Sequence, residues 1–243
     1  MAKHVVKPWK QVCILRDDIK TKTLTMADFA VDLHRVIFEP GSGKYYTDPD
    51  AFFATSYATP NLRRFCRDVL RRLAKEDGGE PIINVAQTFG GGKSHTLTTL
   101  YYLTTLGPKL PRKATAVEHI MAEAKLENPP EAVVAAVSFD KVDWKKGIEA
   151  KSPDGKVRAF RMPWNMIAWQ LLGQKGLDIL ARDETKPDYD TPPADLLWGQ
   201  VIKEVEKTGR GALILVDEFL MWAHDAASPD SDGTNKWRGP QWI

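Results

Sequence analysis

The chain has 243 residues, of which 43% are hydrophobic and 27% charged, and a formal net charge of +2, which suits one sizeable soluble domain with or without a helical extension. Near-neutral charge gives no global pull toward nucleic acid or an anionic membrane, and no stretch approaches the roughly 18 apolar residues of a membrane span. Cys13 and Cys66 have no partner at metal-ligand spacing, the five histidines are scattered, and Met1 to Pro8 lacks a signal-peptide core, so a reduced, cytoplasmic protein is expected.

About eighty residues precede the first informative motif, and they read as mainly helical. Met26 to Phe38 is one candidate helix. Pro60 to Lys75 is better patterned: Leu62, Phe65, Cys66, Val69, Leu70 and Leu73 recur at helical spacing, with Pro60 at the entry and Gly78-Gly79 past the end. Arg63, Arg64, Arg67, Arg71, Arg72 and Lys75 fill the other side. No aromatic residues interleave with them, so a solvated face is favoured over a nucleic-acid contact.

The run Pro81-Ile82-Ile83-Asn84-Val85 then leads through Ala86-Gln87-Thr88-Phe89 into Gly90-Gly91-Gly92-Lys93-Ser94-His95. Glycines without a Cβ can turn backbone N–H groups toward an anion, and the helix that follows adds the positive end of its dipole. The spacing matches G-x-x-x-x-G-K-[ST] except that Gln87 stands at the first glycine. Phe89, Gly90, Gly91, Gly92, Lys93, Ser94 and His95 are therefore the expected nucleotide-binding residues, with Lys93 reaching the β- and γ-phosphates and Ser94 offering a hydroxyl to Mg²⁺.

Beyond this loop, His95 to Leu106 and Ala116 to Leu126 read as helices. Glu131 to Asp140 reads as a core strand, and Lys141 to Arg161, with Pro153-Asp154-Gly155, as a hairpin or surface loop. Asp140 at that strand's end would lie near the nucleotide side of the sheet, with two readings open, a contact to a water or the metal and the commoner one of capping a turn. Pro163 to Leu172 reads as a helix whose Trp164 and Trp169 pack, Gly173 to Pro193 as loop-rich, and Ala194 to Lys207 as a helix. Gly211 to Val216 is an apolar run ending in Asp217-Glu218, the pattern of a parallel strand with carboxylates at its C-terminal edge, where ligands of open α/β sheets sit. Asp217 is the expected Mg²⁺ ligand, and Glu218 the expected base for an attacking water.

Several segments together resemble a large prokaryotic ATPase family: Pro8 to Val12 (PWKQV), Met26 to Leu33 (MADFAVDL), Asp48 to Tyr57 (DPDAFFATSY), Gln87 to Leu97 (QTFGGGKSHTL) and Trp164 to Leu171 (WNMIAWQL). These are AAA-type ATPases of phage-defence islands, similar to the BREX-system ATPase and often encoded beside DNA methyltransferases. The family typically has Thr where this chain has Ser94 and, like this chain, no glycine at Gln87. The resemblance implies ATP as nucleotide, Mg as cofactor, and service to a phage-defence or DNA-modification complex, with a homo-oligomer or a DNA methyltransferase as partners, a weakly supported DNA contact and no membrane.

The expected fold is thus an α/β P-loop NTPase three-layer sandwich of the AAA/ASCE type with a parallel sheet. A mainly helical region over 1–79 precedes the P-loop core over 80–243. Asp230 to Ile243 reads as loop, and no strand carrying a sensor residue follows Glu218, so an incomplete core is expected. Three classes follow: an ATPase with Lys93 and Glu218 catalytic, a non-hydrolysing nucleotide-dependent switch or assembly module, and, last, a small-molecule kinase. Adenine is expected near Phe52, Phe53 and Tyr57, unless those aromatics are plain core.

Overall fold

A computed structural model describes residues 7–15, 17–23, 31–42, 45–76, 79–85, 92–142, 146–181 and 192–227. Two one-turn helices, α1 (Trp9–Val12) and α2 (Asp17–Lys20), lead to α3 (Leu33–Phe38), α4 (Pro49–Thr55) and α5 (Pro60–Leu73). The starts of the last three are set by side chains. Asp32 accepts the His34 and Arg35 N–H groups, Asp48 accepts that of Ala51, and Thr59 accepts that of Leu62, with proline in the first turn of α4 and α5.

Helix α5 buries Leu62, Cys66 and Leu70 and packs on α7 (Thr115–Ala124). Part of its arginine row is structural rather than simply solvated. Arg67 bonds Asp68 at 2.8 Å and Glu123 of α7 at 3.2 Å, while Arg71 reaches the Ala124 carbonyl at 3.4 Å. Of the helix predicted over residues 26–38, residues 33–38 form α3, and residues 24–30 lie outside the described set.

After α6 (Lys93–Thr105) and α7, β1 (Ala132–Ser138) pairs in parallel with β4 (Gly211–Asp217), from Ala132 opposite Gly211 to Ser138 opposite Asp217. Between them come the antiparallel hairpin β2 (Ile148–Lys151) and β3 (Val157–Phe160), α8 (Pro163–Leu172), α9 (Gln174–Leu180) and α10 (Asp195–Glu206); α11 (Phe219–Ala227) follows β4. The hairpin turns where expected, the Gly155 N–H donating to the Ser152 carbonyl at 2.9 Å with Gly155 at φ +85°.

Helices cover both faces of the small parallel sheet. Val134, Ala136, Leu213 and Leu215 join Leu97, Leu100 and Leu103 of α6 and the buried residues of α3, α4, α5 and α7 in one apolar cluster. Val133, Ala135 and Ala212 face the other way, into Trp164, Ala168 and Leu171 of α8 and Val201 and Val205 of α10. The period-2 alternation of each strand thus feeds two cores. Trp164 and Trp169 are packed, as expected, and the Trp169 indole donates to the Ala150 carbonyl at 3.1 Å.

Two expectations need correction. The predicted loop over 173–193 contains α9, because its glycines serve close packing: a Cβ on Gly176 would lie 2.2 Å from the Ala168 carbonyl oxygen, and Gly173 at φ +61° ends α8. The sheet, among the described residues, has two parallel strands, and residues 81–85 join no ladder. Ile82 is 86% exposed there, and Ile214 and Val216 of β4 are 41% and 40% exposed, so the apolar character of these runs is only partly used for burial. Among the described residues no helix is long and apolar enough to cross a membrane.

Cys66 has no exposure, and burial pushes its thiol up to about 12, whereas Cys13 is exposed. A thiol reagent is therefore expected to modify Cys13 promptly in the folded protein and Cys66 only as the chain unfolds. Equal rates for both would contradict the packing of α5 against α7.

Candidate functional site

The N-terminus of α6 is shaped by Gly92, whose φ of +80° and ψ of 21° lie in the left-handed region. A Cβ there would meet nothing within 4 Å, so glycine is required by the dihedral angles and not by crowding. The N-cap residue itself, a glycine, offers no side chain to cap this end of the helix, where the positive end of the helix dipole lies. Lys93 and Ser94 are half-buried in that first turn. Phe89, Gly90 and Gly91 lie outside the described residues.

Asp217 ends β4 and is only 5% exposed. Ser94 donates its hydroxyl to Asp217 Oδ2 at 2.6 Å, joining positions 123 residues apart, and the Glu218 N–H donates to Oδ1 at 3.1 Å. The two strongest sequence motifs thus meet at one corner, where the C-terminal end of a parallel strand faces the N-terminal end of a helix. Glu218 is placed differently. Its side chain is exposed, and its φ of +52° is rare for a residue bearing a Cβ. Its carbonyl accepts the Met221 N–H at 3.1 Å as α11 begins. A strained residue held between two elements is the kind of outlier that collects at functional sites.

Beside this corner, Ser138 at the end of β1 donates to Asp140 Oδ1 at 2.9 Å. Asp140 pairs with Lys141 at 3.1 Å, and Lys141 lies 3.5 Å from Asp32. Asp140 therefore serves its own turn, as expected of a strand-ending Asp.

His95 turns toward the N-terminal helices. Its Nε2 lies 2.9 Å from Ser56 Oγ, and its ring sits 4.7 Å from that of Phe52. Because the Ser56 hydroxyl donates to the Phe52 carbonyl at 2.7 Å, its remaining capacity is to accept, which assigns the proton to Nε2 of a neutral imidazole. Burial holds the His95 pKa below its ordinary value. The side chain thus fixes the first turn of α6 to the end of α4. This clamp went unread in the sequence, where Ser56 and His95 stand 39 residues apart. The one available signal was the short Ser56-Tyr57-Ala58 link between two capped, proline-initiated helices.

The oxygen donors at the corner are one carboxylate and one hydroxyl, and no three His, Cys, Asp or Glu side chains among the described residues form a metal-holding group. Such a donor set suits Mg²⁺, which in nucleotide sites takes one or two protein oxygens and completes its shell with phosphate and water. Lys93 adds the adjacent positive charge.

A family model described as the DUF499 N-terminal domain matches residues 9–237. No curated protein and no solved structure matches the chain.

Two expectations follow from the geometry. Glu218→Gly should raise stability in a denaturant titration by about 1 kcal/mol, by removing the left-handed strain; a loss of stability would mean that the side chain is held by contacts. For His95 the folded state disfavours the proton, so its contribution is complete above the ordinary pKa of 6.5 and falls away as pH drops through the lower folded value. His95→Gln should therefore flatten the stability profile below about pH 6.5 relative to the native chain, and parallel profiles would contradict the buried neutral ring.

Proposed function

The chain belongs to the family described as DUF499 N-terminal domain, and from that premise we propose that it is the nucleotide-binding core of a P-loop ATPase that binds Mg·ATP and hydrolyses it. The observation that carries the reading is the 2.6 Å hydrogen bond from Ser94 to the buried Asp217. It brings a Walker A hydroxyl and a Walker B carboxylate together between a helix N-terminus and a parallel strand end. The helical cover on both faces of that sheet supports a three-layer α/β sandwich. The division into a helical region over 1–79 and a core over 80–243 belongs to the same proposal.

Each residue then has a chemical task. The N–H groups of the first turn of α6 and the Lys93 ammonium bind the β- and γ-phosphates and offset the charge that grows on the transferred group. Ser94 and Asp217 would hold Mg²⁺, which neutralises phosphate charge when bound. Glu218, one residue beyond Asp217 and exposed, accepts a proton from the water that attacks the γ-phosphorus as the bond to the β–γ bridging oxygen breaks. The products are ADP and inorganic phosphate. The motif resemblance supports a setting in phage defence or DNA modification.

A second reading, a nucleotide-dependent assembly module without turnover, draws support from β4. Its exposed Ile214 and Val216, continued by exposed Phe219, Leu220 and Met221, make an apolar strip beside the corner.

Binding of Mg·ATP and release of phosphate, measured beside Lys93→Ala and Glu218→Gln, decide between these. The ATPase reading expects binding at least about tenfold weaker in Lys93→Ala. It expects unaltered binding in Glu218→Gln, with turnover lost by about a hundredfold or more. Native binding without turnover would favour the assembly module, and unchanged affinity in Lys93→Ala would overturn both.

A further inference from the structure

Phe52 and Phe53 form a buried aromatic group with Tyr102 of α6, each no more than 4% exposed, and the Phe52 ring also meets that of His95 in the first turn. Tyr57 departs from that pattern. At 77% it is more exposed than any Phe or Trp or other Tyr among the described residues, although it follows directly on Ser56, whose hydroxyl is bonded to His95 two residues beyond Lys93.

Its backbone is held on both sides. Ser56 is tied to His95 and to the Phe52 carbonyl, Ala58 is 3% exposed, and the Thr59 N–H donates to the Tyr57 carbonyl at 2.9 Å just before Thr59 caps α5. The molecule thus presents a rigid, solvated ring from a short link clamped to the first turn of the helix that carries Lys93 and Ser94. A ring with two χ angles on a fixed backbone loses little entropy when a flat partner stacks on it.

We propose that Tyr57 is the base platform of the site: the planar nucleobase of the bound nucleotide stacks on its ring while the phosphates occupy the N-terminus of α6. The assignment rests on the nucleotide-binding reading above. It adds a base contact to the Mg·ATP reading, and it gives the His95–Ser56 clamp a purpose, since that clamp sets where Tyr57 stands relative to Lys93. Phe52 and Phe53, buried in the apolar cluster, are core.

Affinities of Mg·ATP and of Mg·tripolyphosphate for the native chain, Tyr57→Ala and Tyr57→Trp test this. Stacking predicts that native protein binds ATP more tightly than tripolyphosphate. It predicts that Tyr57→Ala loses about tenfold in ATP affinity with tripolyphosphate binding unchanged, and that Tyr57→Trp retains the native preference. If the native chain binds both ligands and Tyr57→Ala leaves ATP affinity intact, the platform is overturned while the nucleotide site stands. An equal loss for both ligands would make Tyr57 a structural residue and likewise overturn it. If the native chain binds neither ligand, the nucleotide reading falls and takes the platform with it.

Discussion

The hydrogen bond between Ser94 and Asp217 is the constraint around which the rest of the molecule is organised. A carboxylate that is 5% exposed needs hydrogen-bond donors, and here the supply is the Ser94 hydroxyl and the Glu218 N–H. Meeting that need fixes α6 against β4. With the start of α6 beside the end of β4, the body of the helix lies along the face that carries Leu213 and Leu215, and Leu97, Leu100 and Leu103 complete the cluster. The polar corner and the apolar core are two consequences of one placement.

That placement also explains the asymmetry of the sheet. On the far edge of β1, the Ala136 N–H that β4 does not use is taken by Gln170 Oε1 at 3.0 Å, in a buried contact from α8. A side chain thus satisfies this donor, as a buried backbone N–H requires. The β4 side carries the exposed residues Ile214 and Val216 together with the site, so chemistry and unused apolar surface fall on the same flank. Meanwhile α3, α4 and α5 share their core with α6 and β4, which is how the His95 ring comes to rest on Phe52 and Ser56.

How much of this could be read from the chain depended on the range of the interaction. Local rules located α5, α8, β1 and β4, since proline entries, caps and apolar periodicity act within a few residues. That Ser94 and Asp217 share one corner was legible because each sits in its own motif, although their contact spans 123 residues. Helix α9 was not legible, since the glycines that suggested a loop are there for close approach to α8. Nor could the Pro81 to Val85 run be told from a paired strand, because pairing depends on neighbours and not on the run itself. Phe52, Phe53 and Tyr57 show the same limit: composition grouped them, and only burial separates two core rings from an exposed one.

On the nucleotide-binding proposal, this corner exchanges its internal hydrogen bond for a metal–phosphate contact. A crystal structure of the chain grown with Mg²⁺ and a non-hydrolysable ATP analogue tests it most directly. Phosphate oxygens are expected on the N–H groups at the start of α6, with Lys93 beside them and the Ser94–Asp217 bond opened by Mg²⁺ between the two oxygens. The same bond intact, with the analogue absent or bound elsewhere, would show that Ser94 and Asp217 only fasten helix to sheet.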